Sequence, residues 1–469
     1  MLTRRRLLGN ALKISAGLLA QDTLGFADTV PLLALGLAKA EAVSVPANFT
    51  GLGYEMSSVA PLGLLSADNH RYVELIKGLG PAGVLRVGGI VANYTRYEPS
   101  GTIRAERQDT VITHASLEQF SQFLKKIGWR AIWSVNFAQG SIEEAQEEAR
   151  AVASILGPRL LALEIGNEVE NYFRGQKPFR PTPYDYETYR KEYNQWSAAI
   201  AMAVPGIHFA APDTASNVEW VEHMAKDAHG DVQLLTTHYY RGGQNRGSAE
   251  QLLHPDPRLK DVLTRLRTAS QQSGISWRMC ETSSFSGGGL KGVSDTMIGA
   301  LWTLDYMLLL AQYGCAGVDI ETGVNQLGFI SPYSPVQDDG HGVNSAGVPY
   351  YGMLAFSIAN RGCTEAMMVE VPESTNNITA YALGKSGKVR SAVLINRGES
   401  DARVSVAGLG LNHRRTAMRL LAPSGDSKTD VTFAGASVDA GGKWTPARTE
   451  HVLGTDVPVP KMTAVVVRS

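Results

Sequence analysis

Strand-like apolar runs alternate with helix-like patterns eight times between residues 49 and 360, and from about residue 361 short alternating runs separated by turns continue to the end. The first pattern predicts an α/β fold, a (β/α)8 TIM barrel of parallel strands joined by helices; the second predicts a C-terminal antiparallel β-sandwich. Length agrees: 469 residues exceed one small core and suit a barrel of about 250 residues or more with a smaller second domain.

Barrel strands are expected at Phe49–Glu55, Gly83–Gly89, Arg130–Phe137, Leu160–Glu168, His208–Thr214, Val232–Tyr240, Ser276–Ser284 and Cys315–Gly323. Two helix starts carry a local signal. Ser116-Leu117-Glu118-Gln119 and Ser141-Ile142-Glu143-Glu144 both fit a capping box, in which a hydroxyl and an acidic or amide side chain satisfy orphaned backbone donors. A last helix is expected around Tyr350–Asn360, which puts the barrel at residues 41–360 and the sandwich at 361–469. Within the sandwich, Ile378–Gly384, Gly387–Asn396 and Met462–Arg468 read as strands, and Gly384-Lys385-Ser386-Gly387 reads as a hairpin loop.

Residues 1–40 read as an export signal. Arg4-Arg5-Arg6 precedes Leu7-Leu8, an apolar stretch follows, and Ala38-Lys39-Ala40 offers small residues for cleavage. Thr3-Arg4-Arg5-Arg6-Leu7-Leu8 resembles a twin-arginine signal, with a Sec signal as the alternative, and a periplasmic or secreted protein is expected. The apolar runs, broken by Lys13 and by Gln21-Asp22, are too short to span a bilayer, so no membrane association is expected after signal removal.

Forty-four basic and 45 acidic side chains leave a net charge of -1, which argues against attraction to nucleic acid. Cys280, Cys315 and Cys363 are odd in number and lack metal-ligand spacing, so buried free thiols are expected, with no metal and no cofactor. Strand alternation points Cys280 away from the barrel axis if Glu281 points toward it.

Two stretches stand out for chemistry. Leu163-Glu164-Ile165-Gly166-Asn167-Glu168 and Trp277-Arg278-Met279-Cys280-Glu281 are apolar runs that stop on a glutamate, on the fourth and seventh strands. Barrel enzymes hold their reacting groups at such strand ends. Two carboxyl groups that flank a glycosidic bond can protonate the leaving oxygen and attack the anomeric carbon.

This layout resembles the retaining glycoside hydrolases of clan A, in which an Asn-Glu pair ends strand four and a lone Glu ends strand seven. Within that clan the chain resembles the family of bacterial β-glucuronidases and heparanases, glycoside hydrolase family 79. Phe49-Thr50-Gly51-Leu52-Gly53-Tyr54-Glu55, Leu85-Arg86-Val87-Gly88-Gly89, Thr237-His238-Tyr239-Tyr240 and Ala300-Leu301-Trp302-Thr303-Leu304-Asp305-Tyr306 add to the likeness, which spans roughly residues 43–469. It implies a carbohydrate substrate and a retaining, exo-acting β-glucuronidase. It also implies that residues 41–48 can add a strand to the second domain. Two other readings stand beside it: an endo-acting heparanase-like hydrolase of uronate polysaccharides, and a carbohydrate-binding barrel without activity.

Under this reading Glu168 is the general acid/base and Glu281 the nucleophile, with Glu321 on strand eight the rival second carboxylate. Asn167 is expected to donate to the sugar 2-hydroxyl. Tyr239 or Tyr240 is expected to donate to Glu281. Arg86 is expected to pair with Glu164 beneath the site, because a buried carboxylate without a partner is costly. His238 reads as a ligand-binding or a structural histidine, and Asn136 as a sugar contact or a strand cap. Ser286-Gly287-Gly288-Gly289 can bring backbone N–H groups to a sugar carboxylate, although Phe285-Ser286 stands where the resembled family commonly has a tyrosine. Tyr333, in Ser331-Pro332-Tyr333-Ser334-Pro335, is a further candidate from the loop after strand eight.

Overall fold

The computed structural model describes residues 30–469 apart from residues 229, 324–329, 340–341, 374–376 and 413. The export-signal residues 1–29 lie outside the described residues.

Eight parallel strands close a barrel in sequence order. They are β1 Thr50–Glu55, β2 Val84–Gly88, β3 Arg130–Val135, β4 Leu160–Ile165, β5 Phe209–Thr214, β6 Leu234–Gly243, β7 Ser276–Ser286 and β8 Val318–Glu321. Eight helices surround them: α1 His70–Gly78, α2 His114–Ile127, α3 Ile142–Leu156, α4 Tyr186–Ala203, α5 Val218–Asp227, α6 Pro257–Ser273, α7 Met297–Gln312 and α8 Val348–Asn360. Ser141 and Glu144 form the capping box of α3. The start of α2 corrects the expectation: Thr113 is the cap and Ser116 is its partner in the first turn, so the helix begins before Ser116.

The second domain is built from both ends of the described chain. A four-stranded sheet has the order Val369–Glu370, Leu32–Leu37, Ala402–Gly408, Asp456–Val459. The facing sheet runs from Val43–Ser44 through Glu365–Met367, Ile378–Lys385, Lys388–Asn396, Thr463–Arg468 and Arg415–Leu421 to Thr432–Phe433. Leu35, Val404 and Val457 of the first sheet share one apolar core with Ala382, Leu394 and Val465 of the second. Pairing is antiparallel throughout except that Leu32–Leu37 runs parallel to Ala402–Gly408. Ser386 and Gly387 both have positive φ, the geometry of a two-residue hairpin turn that matches strand twist.

Leu32–Leu37 corrects the expected extent of the leader. An apolar run there looked like part of a signal, but it is a strand with Leu35 in the sandwich core, so cleavage at Ala38–Ala40 would remove a strand from its sheet. A helix that is apolar all round must be covered on all sides. This is the case for α7, buried along nearly its whole length between the barrel and the second domain. Its Asp305 accepts hydrogen bonds from Thr379 at 2.6 Å and Tyr381 at 2.8 Å and pairs with Arg397 at 3.0 Å, which ties the two domains together. Among the described residues no helix is long and apolar enough to cross a membrane.

Candidate active site

Arg86, on β2, has a fully buried guanidinium that spans three other strands. Its Nε donates to Glu164 of β4 at 2.9 Å, and its Nη1 donates to Glu281 of β7 at 2.9 Å. Its Nη2 donates to Asn167 Oδ1 at 2.8 Å and to Asp213 of β5. Burial, then the charge of Asp213, pushes the Glu164 carboxyl up to about 7 against the pull of Arg86. Ser134 of β3 also donates to Glu164, at 2.8 Å.

His238 supplies the second cation. Its Nε2 lies 2.9 Å from Asp213, its Nδ1 3.4 Å from Glu168 and 3.9 Å from Glu281. Burial works against its protonation, but Asp213 and then Glu281 outweigh that cost and hold its pKa well above the usual histidine range. Arg86 and His238 hold Asp213 below the usual range in spite of its burial.

Local backbone geometry aims the two glutamates. β4 ends at Ile165, and Glu168 is reached through a turn in which it adopts φ 51°, with its N–H donating to Asp213 O at 2.8 Å. It therefore does not continue the alternation from Glu164. On β7 the register to β6 slips by one residue between Met279 and Glu281, the signature of a bulge at Cys280. The bulge turns both Cys280 and Glu281 inward: the Cys280 sulfur lies within 4.8 Å of a carboxylate oxygen of Glu164 and one of Asp213. The outward direction expected of Cys280 from plain alternation is thus corrected. All three cysteines are buried free thiols.

Tyr240 donates to Glu281 Oε1 at 2.9 Å, and Arg86 holds Oε2. A carboxylate oxygen of Glu168 and one of Glu281 lie within 4.8 Å of each other. Both line a cleft of about 550 Å³ at the C-terminal mouth of the barrel, together with Asn167, Ser286, Gly287, Gly288 and Tyr333. Tyr333 stacks on Tyr240 with centroids 6.4 Å apart. Gly287, Gly288 and Gly289 take φ of 84°, 101° and 92°, where side chains are rarely tolerated. Among the described residues their N–H groups donate to no protein acceptor.

Four candidates fall outside the cleft wall. Asn136 donates to Thr95 O and accepts from Gln139 N–H, each at 2.9 Å, so it is a strand cap and its sugar-contact reading is corrected. Tyr239 points outward, its hydroxyl donating to Asp256 at 2.9 Å and its ring stacked on Tyr306, because Tyr240 takes the inward position of the pair. Gly289 packs behind the loop against Tyr333 and Ser294. His238 lies beneath the glutamates as a positioning group.

The cleft also holds Glu321, the rival second carboxylate, and three groups that sequence reading passed over: Glu55, Arg107 and Arg258. Burial, then Glu281, pushes Glu55 up to about 8. Arg107 sits at the two-residue tip of a hairpin, Arg104–Glu106 with Asp109–Ile112, inserted between β2 and α2. Arg258 is held by Asp256 at 3.1 Å and is largely exposed. A signal for the acids existed: Glu55, Asp213 and Glu321 all lie at or next to the C-terminal ends of barrel strands, as Glu168 and Glu281 do. Among the described residues two groups of donor atoms are close enough for a metal, Glu168-His238-Glu281 and Glu164-Asp213-Cys280. Arg86 and His238 already supply positive charge to both.

No family model matches the chain. Over 336 residues it is 23% identical to a β-glucuronidase of Aspergillus niger, covering 64% of this chain and 61% of that one, so it spans about three fifths of that relative's length. Among solved structures, a 4-O-α-L-rhamnosyl-β-D-glucuronidase from Fusarium oxysporum has a TM-score of 0.78 at 17% identity over 93% of this chain and 100% of that chain. A family 51 α-L-arabinofuranosidase from Bifidobacterium longum has a TM-score of 0.67 at 14% identity, covering 94% and 99% of the two chains. The fold is that of these barrel proteins. In sequence the chain resembles the β-glucuronidases.

Proposed function

We propose that this protein is a retaining, exo-acting β-glycosidase that acts on β-glucuronides. The observation that carries the reading is the pair Glu168 and Glu281, with oxygens within 4.8 Å across the cleft. Retaining enzymes hold their carboxyl groups about 5 to 5.5 Å apart, whereas inverting enzymes need room for a water and about 6.5 to 9.5 Å.

Glu281, fixed by Arg86 and Tyr240, attacks the anomeric carbon. Glu168 protonates the leaving oxygen, and then deprotonates the water that releases the sugar. Arg86 holds Asn167 by its Oδ1, which leaves the Asn167 amide N–H₂ to meet the sugar 2-hydroxyl. The unengaged N–H groups of Gly287 and Gly288 suit a sugar carboxylate, since charge-assisted bonds to backbone donors are among the stronger ones. A cleft of about 550 Å³ has the size of a small-ligand site, which supports action at a chain end. Likeness to the A. niger and F. oxysporum glucuronidases supports the same sugar.

A panel of aryl β-glycosides tests this. The glucuronide is expected to be cleaved at least about tenfold faster in kcat/KM than the glucoside, galactoside or xyloside, the worth of one charge-assisted bond. Equal rates on all four would defeat the uronate assignment. We also propose export, on the strength of Arg4-Arg5-Arg6-Leu7-Leu8. The mature N-terminus, read by sequencing the exported protein, should then fall before Leu32, and a start at Glu41 would contradict the fold.

A further inference from the structure

Two acids on β8 occupy the same kind of slot and are treated differently. Asp319 pairs in register with Gly51 of β1, and Glu321 with Gly53. A Cβ on Gly51 would overlap the Asp319 carboxylate, and one on Gly53 would overlap Glu321 Oε2, so glycine on β1 is what seats each acid.

Asp319 is neutralised there, since Arg278 Nε and Nη2 each donate to it at 2.7 Å. Among the described residues Glu321 has no such cation. The residue is 5% exposed and lines the cleft, and its Oε2 is buried with no hydrogen-bond partner among the described residues. The charged and titratable groups around it are Tyr54 and Glu55 of β1, Arg86 of β2, His238 and Tyr240 of β6, Glu281 of β7, and Tyr333. Burial, then Glu281 and Glu55, pushes its carboxyl well above the usual range, against Arg86 and His238. This environment favours the protonated carboxyl, which has one O–H to donate and lone pairs to accept. An alcohol hydroxyl has the same complement.

We propose that Glu321 is a specificity-determining residue that holds one ring hydroxyl of the sugar bound against Glu281. This rests on reading the cleft as a glycosidase site. It assigns to the orphaned carboxyl the partner that the protein itself does not provide, and it makes Glu321 a binding group with no part in bond cleavage.

The test compares wild type, Glu321→Gln and Glu321→Ala on an aryl β-glycoside that the wild type cleaves and on its 2-, 3- and 4-deoxy counterparts. Glutamine keeps a donor and an acceptor in the same shape, so Glu321→Gln should lose clearly less kcat/KM than Glu321→Ala, with an unchanged melting temperature. Alanine should lower kcat/KM on the parent sugar by about 10- to 100-fold. On one deoxy substrate the wild type should lose a similar factor while Glu321→Ala loses nothing more, the non-additivity that marks a direct contact. A purely structural role would leave the deoxy effects additive. Additive losses on all three deoxy sugars, or Glu321→Gln as damaged as Glu321→Ala, overturn the proposal. A folded wild type inert on every β-glycoside overturns the glycosidase reading itself, which separates the two failures.

Discussion

Two arginines inside the barrel show two uses of buried charge. Near the N-terminal ends of the strands, Arg278 meets Asp319 through two bonds of 2.7 Å, and both side chains are almost wholly buried. One cation faces one anion. Toward the C-terminal mouth, Arg86 serves Glu164, Asp213 and Glu281 at once, with His238 as the only other cation in contact with these acids among the described residues. Glu55 and Glu321 stand beside this group as well. The lower pair is balanced and fixes the barrel. The upper group has more acids than cations, so some carboxyls must keep a proton, and a site with both ionised and protonated acids can run acid and nucleophile chemistry side by side. Burial alone does not separate the two regions; the ratio of charges does.

The sharpest way to break the comparison is at the mouth. Glu281→Ala should abolish turnover while the fold is retained, and azide should restore some activity as a glycosyl azide of inverted configuration. Normal turnover in that variant would remove Glu281 as nucleophile. Glu168→Ala should slow hydrolysis by about 10²- to 10⁴-fold on substrates with poor leaving groups. An aryl glycoside of a very acidic phenol needs no proton to depart, so its first step should be nearly spared. Equal losses on both, measured by burst and steady-state kinetics, would contradict the role.

The lower pair should behave in the opposite way. Arg278→Met alone strands a buried aspartate and should cost about 3 to 5 kcal/mol of stability in denaturant titration. Arg278→Met with Asp319→Leu removes both charges and should recover most of that loss, with kcat kept near wild type. A double variant as unstable as the single one would show that the lower layer is not a balanced pair.

The smallest expected effect is in pH dependence. Glu55 is pushed up to about 8 and Glu164 to about 7 from an ordinary 4.5. Between pH 4.5 and those values the unfolded chain has released protons that the folded chain still holds. Their stabilisation is complete below pH 4.5 and is lost as pH rises through about 7 to 8, so the melting temperature should fall across that window. Glu55→Gln should flatten the fall above pH 7. An unaltered slope in that variant would mean that Glu55 is ionised in the folded state.

The eight barrel strands were legible because each is a short apolar run between turn residues, and the observed spans overlap the expected ones throughout. The site was legible where it follows strand ends, and illegible where backbone irregularity decides direction. Alternation gave Cys280 an outward course, yet the bulge brings it in beside Glu281, and no composition signal marks a one-residue slip. Asp213 lies at the end of β5 with no motif of its own, and only its packing against Arg86 and His238 marks it as part of the site. Arg107 reaches the cleft from an inserted hairpin, a placement set by tertiary structure alone. Leu32–Leu37 reads as signal sequence because a half-buried apolar strand and a signal's apolar core have similar composition, and only its pairing on both sides tells them apart.

Double displacement by Glu168 and Glu281 on a β-glucuronide fixes the configuration of the first product, and that configuration tests the two roles most directly. Proton NMR during hydrolysis of an aryl β-glucuronide, read before mutarotation, should show β-glucuronic acid appearing first. The α anomer appearing first would mean a single displacement, and would contradict the assignment of Glu281 as nucleophile.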